Sequence, residues 1–341
     1  MVTSLMSKPF LYLIKFLVFL IFFSFSLNQY LSSKENDKFK EWLKSFKQYA
    51  LKKGVSERTL KITLSNVKYL DQVIKYDRKQ PEFFELTHIY VKKRANEKRK
   101  KIALAKYKKN KKLINDIEKK FNIEKEILLS LWGIETNFGK HVGKMDILSS
   151  LATLSFDQRR SKFFTSELIT LLKLVDNDVI KKDTLYGSWA GAIGNFQFMP
   201  STIKNYAIDF NNDGKIDLKN SLHDSMGSAA NYIKKIGWRY NEPCFFKVKL
   251  NNRIDTSMIN YSAKKIHSKK SLKKWFKLGV AKIEGIDLAS NLKAALISPD
   301  GKESLNFFLV FENYEKILKW NRSLRFAISV CTLSTMIQNE I

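Results

Sequence analysis

Among the acidic residues of this chain, Glu135 has the surroundings best suited to proton transfer. It lies in LWGIETNFGKHVGK, residues 131–144, where an apolar stretch ends at a glycine. Upstream, Ile127, Leu128, Leu131 and Ile134 recur at helical spacing. Glu135 follows Leu131 by four residues and precedes Phe138 by three, which predicts all three on one helix face. Gly139 is the predicted stop, in a left-handed turn. A carboxyl on the apolar side of a helix end is poorly solvated. Poor solvation disfavours its charged form, the tuning a general acid needs near neutral pH. The plainer reading of the same residue is a helix glutamate paired with Lys140 or Lys144.

A second polar constellation is DFNNDGKIDLKN, residues 209–220, which follows the spacing of a calcium loop. Asp209, Asn211 and Asp213 hold positions one, three and five, and Gly214 holds six, where a sharp turn is needed. Lys215 at seven would contribute only its backbone carbonyl, and Asp217 at nine would bind directly or through water. Asn220 stands at twelve, where a bidentate acid is expected, so affinity should be weak. Asp224 is the nearest acid that a local shift could bring in. The alternative is a solvated Asx-rich turn. Cys244 and Cys331 are the only cysteines. They could pair in an oxidising compartment, but sequence gives no distance between them, and with four histidines they make no zinc signature.

Several blocks in order resemble the lytic murein transglycosylase B family. WGIETNFG resembles its W-G-I/V-E-S/T-x-F/Y-G motif, and the run through SFDQRRSKFF continues the likeness. DRKQPEF, Asp77 to Phe83, resembles D-x-x-Q-P-E-F/W. GSWAGAIGNFQFMPST, Gly187 to Thr202, resembles G-S-x-A-G-A-x-G-x-x-Q-F-M-P-S. The likeness runs from about Phe39 to about Leu333. It implies a lysozyme-like catalytic core and a single catalytic acid/base, Glu135. That carboxyl would protonate the departing glycosidic oxygen and then take the C6 hydroxyl proton of the same muramyl sugar, closing a 1,6-anhydro ring. Asp146 and Asp157 are the sequence candidates for the second carboxylate that an ordinary glycosidase needs. The resemblance also places Ser188, Gln197 and Tyr232 along a sugar cleft. LKWNRSLRFAISV resembles a closing segment that usually reads Y-N-x-S-x-x-Y-A. Asn321 matches, while Trp320 and Phe326 stand where tyrosines are common. Both keep an aromatic face for stacking on sugar but lose the hydroxyl. Family members carry a calcium loop where residues 209–220 stand; no cofactor is expected for catalysis.

The elements that must position these residues read as mostly α with a small β-containing insertion, an α+β class. Residues 36–121 form an expected N-terminal helical domain, with Gly54 as a stop, Ser56 as an N-cap, a break at Pro81 and one lysine-rich helix from about Phe83 to Lys109. Residues 122–240 form the expected catalytic core. Its helices are one beginning at Asn122, then Ser149–Phe156, Phe163–Val175, Met199–Ala207 and Ser225–Ile236. Pro200 suits a first turn. Residues 184–195 read as a loop. Residues 241–305 read as a small β-containing subdomain with strands near 244–250 and 294–300, and 306–334 as a closing segment with a strand at 306–311 and a last helix over 321–333.

Charge is the outlier of composition. Lysine and arginine exceed acids by 28, which reads either as attraction to a polyanion or as solvated basic helix faces. No nucleic-acid-binding motif accompanies it, so nucleic acid is not the expected partner; peptidoglycan glycan strands are. Lys8, the apolar run Phe16–Phe23 and the small residues Ser24 and Ser26 read as an export signal over residues 1–26, with a periplasmic destination. An uncleaved membrane anchor is the alternative. Cleavage would remove Lys8 and Lys15 and no acid, taking the net charge from +28 to +26. An inactive wall-binding scaffold and a hydrolytic muramidase of the same fold are the rival readings.

Overall fold

The computed structural model describes residues 35–80, 85–282 and 291–341. The expected export segment and Pro81 lie outside the described residues. The described residues are mostly helical with one small six-stranded sheet and a two-stranded ribbon, the mostly α class with a β-containing part that the patterning predicts. Helix α1 covers 35–52 and turns Phe39, Phe46 and Ala50 into the core. Ser56 caps α2 (Glu57–Leu64) by accepting the Thr59 N–H. Then come α3 (Asp71–Arg78), α4 (Thr87–Arg94), α5 (Glu97–Lys109) and α6 (Lys111–Phe121).

Two expectations fail here for one reason. The lysine-rich stretch is not a single helix: Asn96 is extended and its side chain accepts the Arg99 N–H, ending α4 and starting α5. Asn122 does not begin the Glu135 helix. It sits at φ +56 and closes α6, and α7 (Lys125–Thr136) starts three residues beyond it. Asparagine serves equally as an N-cap and as a left-handed C-cap, so its presence marks a boundary without saying which side is helical.

Helices α7, α8 (Ile147–Phe156), α9 (Ser161–Asp176), α10 (Pro200–Tyr206) and α11 (Leu222–Lys235) all contribute to the main core. Pro200 occupies the first turn of α10, as expected. Strands β1 (Met145–Asp146) and β2 (Tyr186–Gly187) pair antiparallel, so the expected 184–195 loop is tied at its start. In α7, Leu128, Leu129 and Leu131 have no exposure at all. Each such leucine contributes about 1.5–3 kcal/mol of burial.

The sheet follows. Its strands are β3 (Phe245–Leu250), β4 (Ile259–Asn260), β5 (Lys270–Ser271), β6 (Val280–Lys282), β7 (Lys293–Ile297) and β8 (Phe307–Val310), ordered β4-β7-β8-β3-β6 with β5 also on β7. Among the described residues, β4–β7 is the one parallel pair. Alternation along β7 and β8 divides two cores. Ala295, Ile297, Phe308 and Val310 join the main helical core. Ala294, Leu296, Phe307 and Leu309 face a smaller one around Trp275 of α12 (Leu272–Lys277). The chain closes with α13 (Glu312–Trp320) and α14 (Leu324–Gln338), the latter starting three residues later than expected because Ser323 caps it. Cys244 and Cys331 form a disulfide that joins the start of the sheet to α14. The main core unites residues from Phe39 to Ile337.

Candidate active site

Glu135 stands in the last turn of α7, partly exposed. The helix ends at Thr136, not at Gly139. Asn137, Phe138 and Gly139 all take positive φ (50°, 60° and 83°). The Asn137 N–H bonds the Gly133 carbonyl and the Phe138 N–H reaches back to Trp132, a Schellman-like closure. Phe138 therefore leaves the Leu131–Glu135 face and folds back, edge-on to Trp132 at 5.4 Å and over Gly133. A side chain at Gly133 would lie 2.7 Å from that ring, which accounts for a glycine in mid-helix.

Asn195 clamps this helix end, and sequence reasoning missed it. Its side-chain oxygen accepts the Trp132 indole N–H at 3.0 Å, and its main-chain carbonyl accepts the Thr136 hydroxyl at 2.8 Å. Its amide nitrogen donates to the Lys219 carbonyl at 2.9 Å. One asparagine thus joins α7, the glycine-rich block and the 209–220 loop. Close approach is needed to do so: a Cβ on Gly139 would sit 2.5 Å from the Asn195 side-chain oxygen, and one on Gly194 (φ +78) would sit 2.2 Å from the Leu218 carbonyl. The only sequence signal was an asparagine inside a glycine-rich block.

Across the site, the Trp320 indole N–H donates to Glu135 Oε1 at 2.8 Å. The hydroxyl lost where tyrosine is common in the family is replaced by another donor. Trp320 ends a column of rings: Tyr206 stacks on Tyr232 at 4.3 Å, and Tyr232 on Trp320 at 5.0 Å. Phe198 and Phe196 meet Trp320 edge-on at 5.4 and 6.3 Å. The Tyr232 hydroxyl donates to the Lys319 carbonyl, fixing the backbone beside Trp320. Burial, with Tyr206 beside it, pushes the Tyr232 phenol up to about 12, so it stays a neutral donor.

The other expected cleft residues divide. Gln197, partly exposed at φ +52, donates from its amide to the Val142 and Gly194 carbonyls. Asn321 is partly exposed where α13 ends. Ser188 organises its own turn, accepting the Ala190 and Ala192 N–H groups. Tyr232 lies between two rings, and Phe326 is 4% exposed inside α14's core contact, so neither offers a face for a sugar. Asp146 caps α8, and Asp157 is held by Arg78 at 2.8 Å, so both alternative carboxylates have structural partners. A cavity of about 730 Å³ lies elsewhere, lined by Glu124, Trp238, Cys244, Phe245 and Thr335 among others; Glu135 is not part of it.

In the 209–220 loop the acids turn to the loop's own amides. Asp209 accepts the Asp213 and Gly214 N–H groups, Asp213 those of Lys215 and the Asn211 side chain, and Asp217 those of Lys219 and Asn220. Asp224 is fully buried and accepts the Phe210 and Asp217 N–H groups. Among the described residues, no three His, Cys, Asp or Glu side chains converge as a metal site. In this conformation the donor set does not fit a calcium ion.

Comparison with known proteins gives the family and the fold. The E. coli (strain K12) membrane-bound lytic murein transglycosylase B is 44% identical over 119 residues, which are 35% of this chain and a third, 33%, of that protein. The fold matches SltB3 from Pseudomonas aeruginosa, solved with NAG-NAM-pentapeptide, at TM-score 0.78 and 31% identity over 88% of this chain and 79% of that one. It also matches the E. coli lytic transglycosylase Slt35, solved with calcium, at TM-score 0.73 and 27% identity over 87% of this chain and 92% of that one. The family described as transglycosylase SLT domain spans residues 38–335. The chain belongs to the transglycosylase SLT domain family.

Proposed function

We propose that this protein is a peptidoglycan lytic transglycosylase that cleaves the β-1,4 bond from MurNAc to GlcNAc. Glu135 is its one acid/base. In the first step the Glu135 proton passes to the glycosidic oxygen as the C1–O bond breaks, the bonding pair staying on the departing GlcNAc. In the second, the carboxylate takes the C6 hydroxyl proton while O6 bonds C1, leaving 1,6-anhydroMurNAc. No water is consumed. Acid–base assistance of this kind contributes about 10²–10⁴-fold, so substrate binding and distortion contribute the rest. The observation that carries the reading is the Trp320–Glu135 hydrogen bond at the end of a braced helix, with Asp146 and Asp157 engaged elsewhere.

Trp320, Gln197 and Asn321 are the proposed sugar contacts; Ser188, Tyr232 and Phe326 support them. Peptidoglycan fragments bound to SltB3 support glycan strands as the ligand. Catalysis needs no cofactor. Calcium, which accompanies the solved Slt35, would be structural here and held by Asp209, Asn211, Asp213, Lys215, Asp217 and Asn220 once the loop gathers them, the carboxylates keeping lone pairs beside their loop-amide bonds. Export to the periplasm fits the Cys244–Cys331 disulfide, which belongs to an oxidising compartment. Among the described residues, no helix is long and apolar enough to cross a membrane. Mass analysis of muropeptides released from purified sacculi tests the reaction. Anhydromuramyl ends are expected, absent with Glu135→Gln; reducing muramyl ends would make the protein a hydrolase, and release by neither would make it a scaffold.

A further inference from the structure

We propose that Trp320 is a positioning residue that assigns the two oxygens of Glu135, holding Oε1 as a permanent acceptor so that Oε2 alone carries the transferred proton. The inference rests on Glu135 being the acid/base. Its starting point is the 2.8 Å bond from the indole N–H to Oε1. An indole nitrogen is a donor only, whereas a phenol both donates and accepts. A tyrosine in this place can accept from a protonated Oε1 as readily as it donates to an ionised one. Trp320 cannot. With the carboxyl protonated, the indole favours the form with the carbonyl oxygen at Oε1 and the hydroxyl at Oε2. With the carboxyl ionised, the same bond stabilises the charge on Oε1, so the returning proton is directed to Oε2. The oxygen that gives the proton to the glycosidic bond is then the one that recovers it from the C6 hydroxyl, and the carboxyl need not rotate between steps.

The indole is held to this task from several directions. Tyr232 covers one face at 5.0 Å and 22°, and is itself backed by Tyr206. Phe198 and Phe196 press from the edge at 66° and 69°. The Tyr232 hydroxyl pins Lys319, the preceding residue. An indole ring so braced presents its N–H along one line, and the benzo edge cannot swing into its place without breaking the stack.

Three variants test this on purified glycan strands: Trp320→Phe, Trp320→Tyr and Glu135→Gln. Trp320→Phe keeps an aromatic ring in the column and removes the donor. We expect kcat to fall about 10–100-fold with KM within about threefold, as for loss of an interaction made at the reacting group. A donor to the carboxylate favours its ionised form. Its loss should therefore move the alkaline limb of kcat/KM upward by about one pH unit, equivalent to about 1.4 kcal/mol. Trp320→Tyr, which restores a donor, should return the limb toward its original place. Loss of packing alone would lower activity without moving the limb. A second readout needs no turnover: the Trp320 indole ¹H–¹⁵N resonance, identified by its absence in Trp320→Tyr, should shift as Glu135 titrates and stay fixed in Glu135→Gln. An unmoved limb in a folded Trp320→Phe, or an indole resonance insensitive to pH, overturns the proposal. If Trp320→Phe does not fold, the resonance and the Trp320→Tyr profile decide. Activity retained by Glu135→Gln would instead overturn the acid/base assignment itself, so the two failures are distinct.

Discussion

Asn195→Ala should loosen the catalytic helix end by an amount the contacts allow one to work out. Asn195 and Trp132 are 6% and 4% exposed, so the Trp132 indole N–H left behind would find neither protein partner nor ready access to water. Orphaning a buried donor costs about 1–3 kcal/mol. Losing the amide bond to Lys219 adds about 0.5–1.5 kcal/mol, at the low end because that carbonyl lies near solvent. The main-chain bonds, from Asn195 N–H to Leu218 and from Thr136 to the Asn195 carbonyl, survive the substitution. The sum is about 2–4 kcal/mol. At about 2.1 cal/mol/K per residue over roughly 300 folded residues, that lowers the Tm by about 3–6 °C. Because α7 carries Glu135 on the same turn as Thr136, glycan cleavage should fall about 10–100-fold, the scale set by sub-ångström to ångström misplacement. Differential scanning calorimetry and muropeptide release measure the two effects. A melting point within 1 °C of the unmodified protein together with unchanged release would refute the clamp.

Replacing both cysteines of the Cys244–Cys331 pair by serine opens an 87-residue loop and should cost about 2–5 kcal/mol, read as a lower urea midpoint; reductant should mimic it in the unmodified protein. Asp300 is pushed up by burial but held below the usual carboxylate range by hydrogen bonds from Thr87 and Asn306 and by the Arg325 charge. Its folded pKa lies below its unfolded value, so its stabilisation is present above about 3.8 and is lost as pH falls through the folded value. The Tm gap between the unmodified protein and Asp300→Asn should therefore be full at neutral pH and close in acid. Calcium should bind only in the millimolar range, because Asn220 stands where a bidentate acid is expected and the loop acids do not converge; 5 mM at a Kd of about 1 mM would add only about 1 kcal/mol. A Tm unmoved by 10 mM calcium (a concentration of about ten such Kd values) would reduce the loop to a hydrogen-bonded turn.

Local signals with one meaning were legible in the sequence. Ser56 and Pro200 each occupy the helix position their chemistry favours, and the strands at 245–250, 293–297 and 307–310 fall within or beside the short apolar runs expected at 244–250, 294–300 and 306–311. Signals with two meanings misled. Asn122 marked a boundary whose side only packing decides, and Asn96, an N-cap inside a lysine-rich run, was passed over. Gly139 named the right turn, but the left-handed run begins earlier, at Asn137. The site shows the same division. Glu135 was legible because its block is long and distinctive. Asn195 was not, because its importance lies in partners 63 and 24 positions away along the chain. At Trp320 the sequence registered a missing hydroxyl; that an indole edge occupies its line is a fact of orientation, which residue type alone does not carry.

The Trp320–Glu135 bond joins residues 185 positions apart, and α14, which follows Trp320, packs directly on the catalytic helix. A chain emerging in order from the ribosome or a translocation channel therefore presents Glu135 long before its donor, its ring column or the helix that buries α7. The partial chain has an acid but no braced site. On the proposed function, a chain built this way would acquire its activity only when the segment through α14 has emerged, so the order of synthesis itself withholds the site from every partial chain.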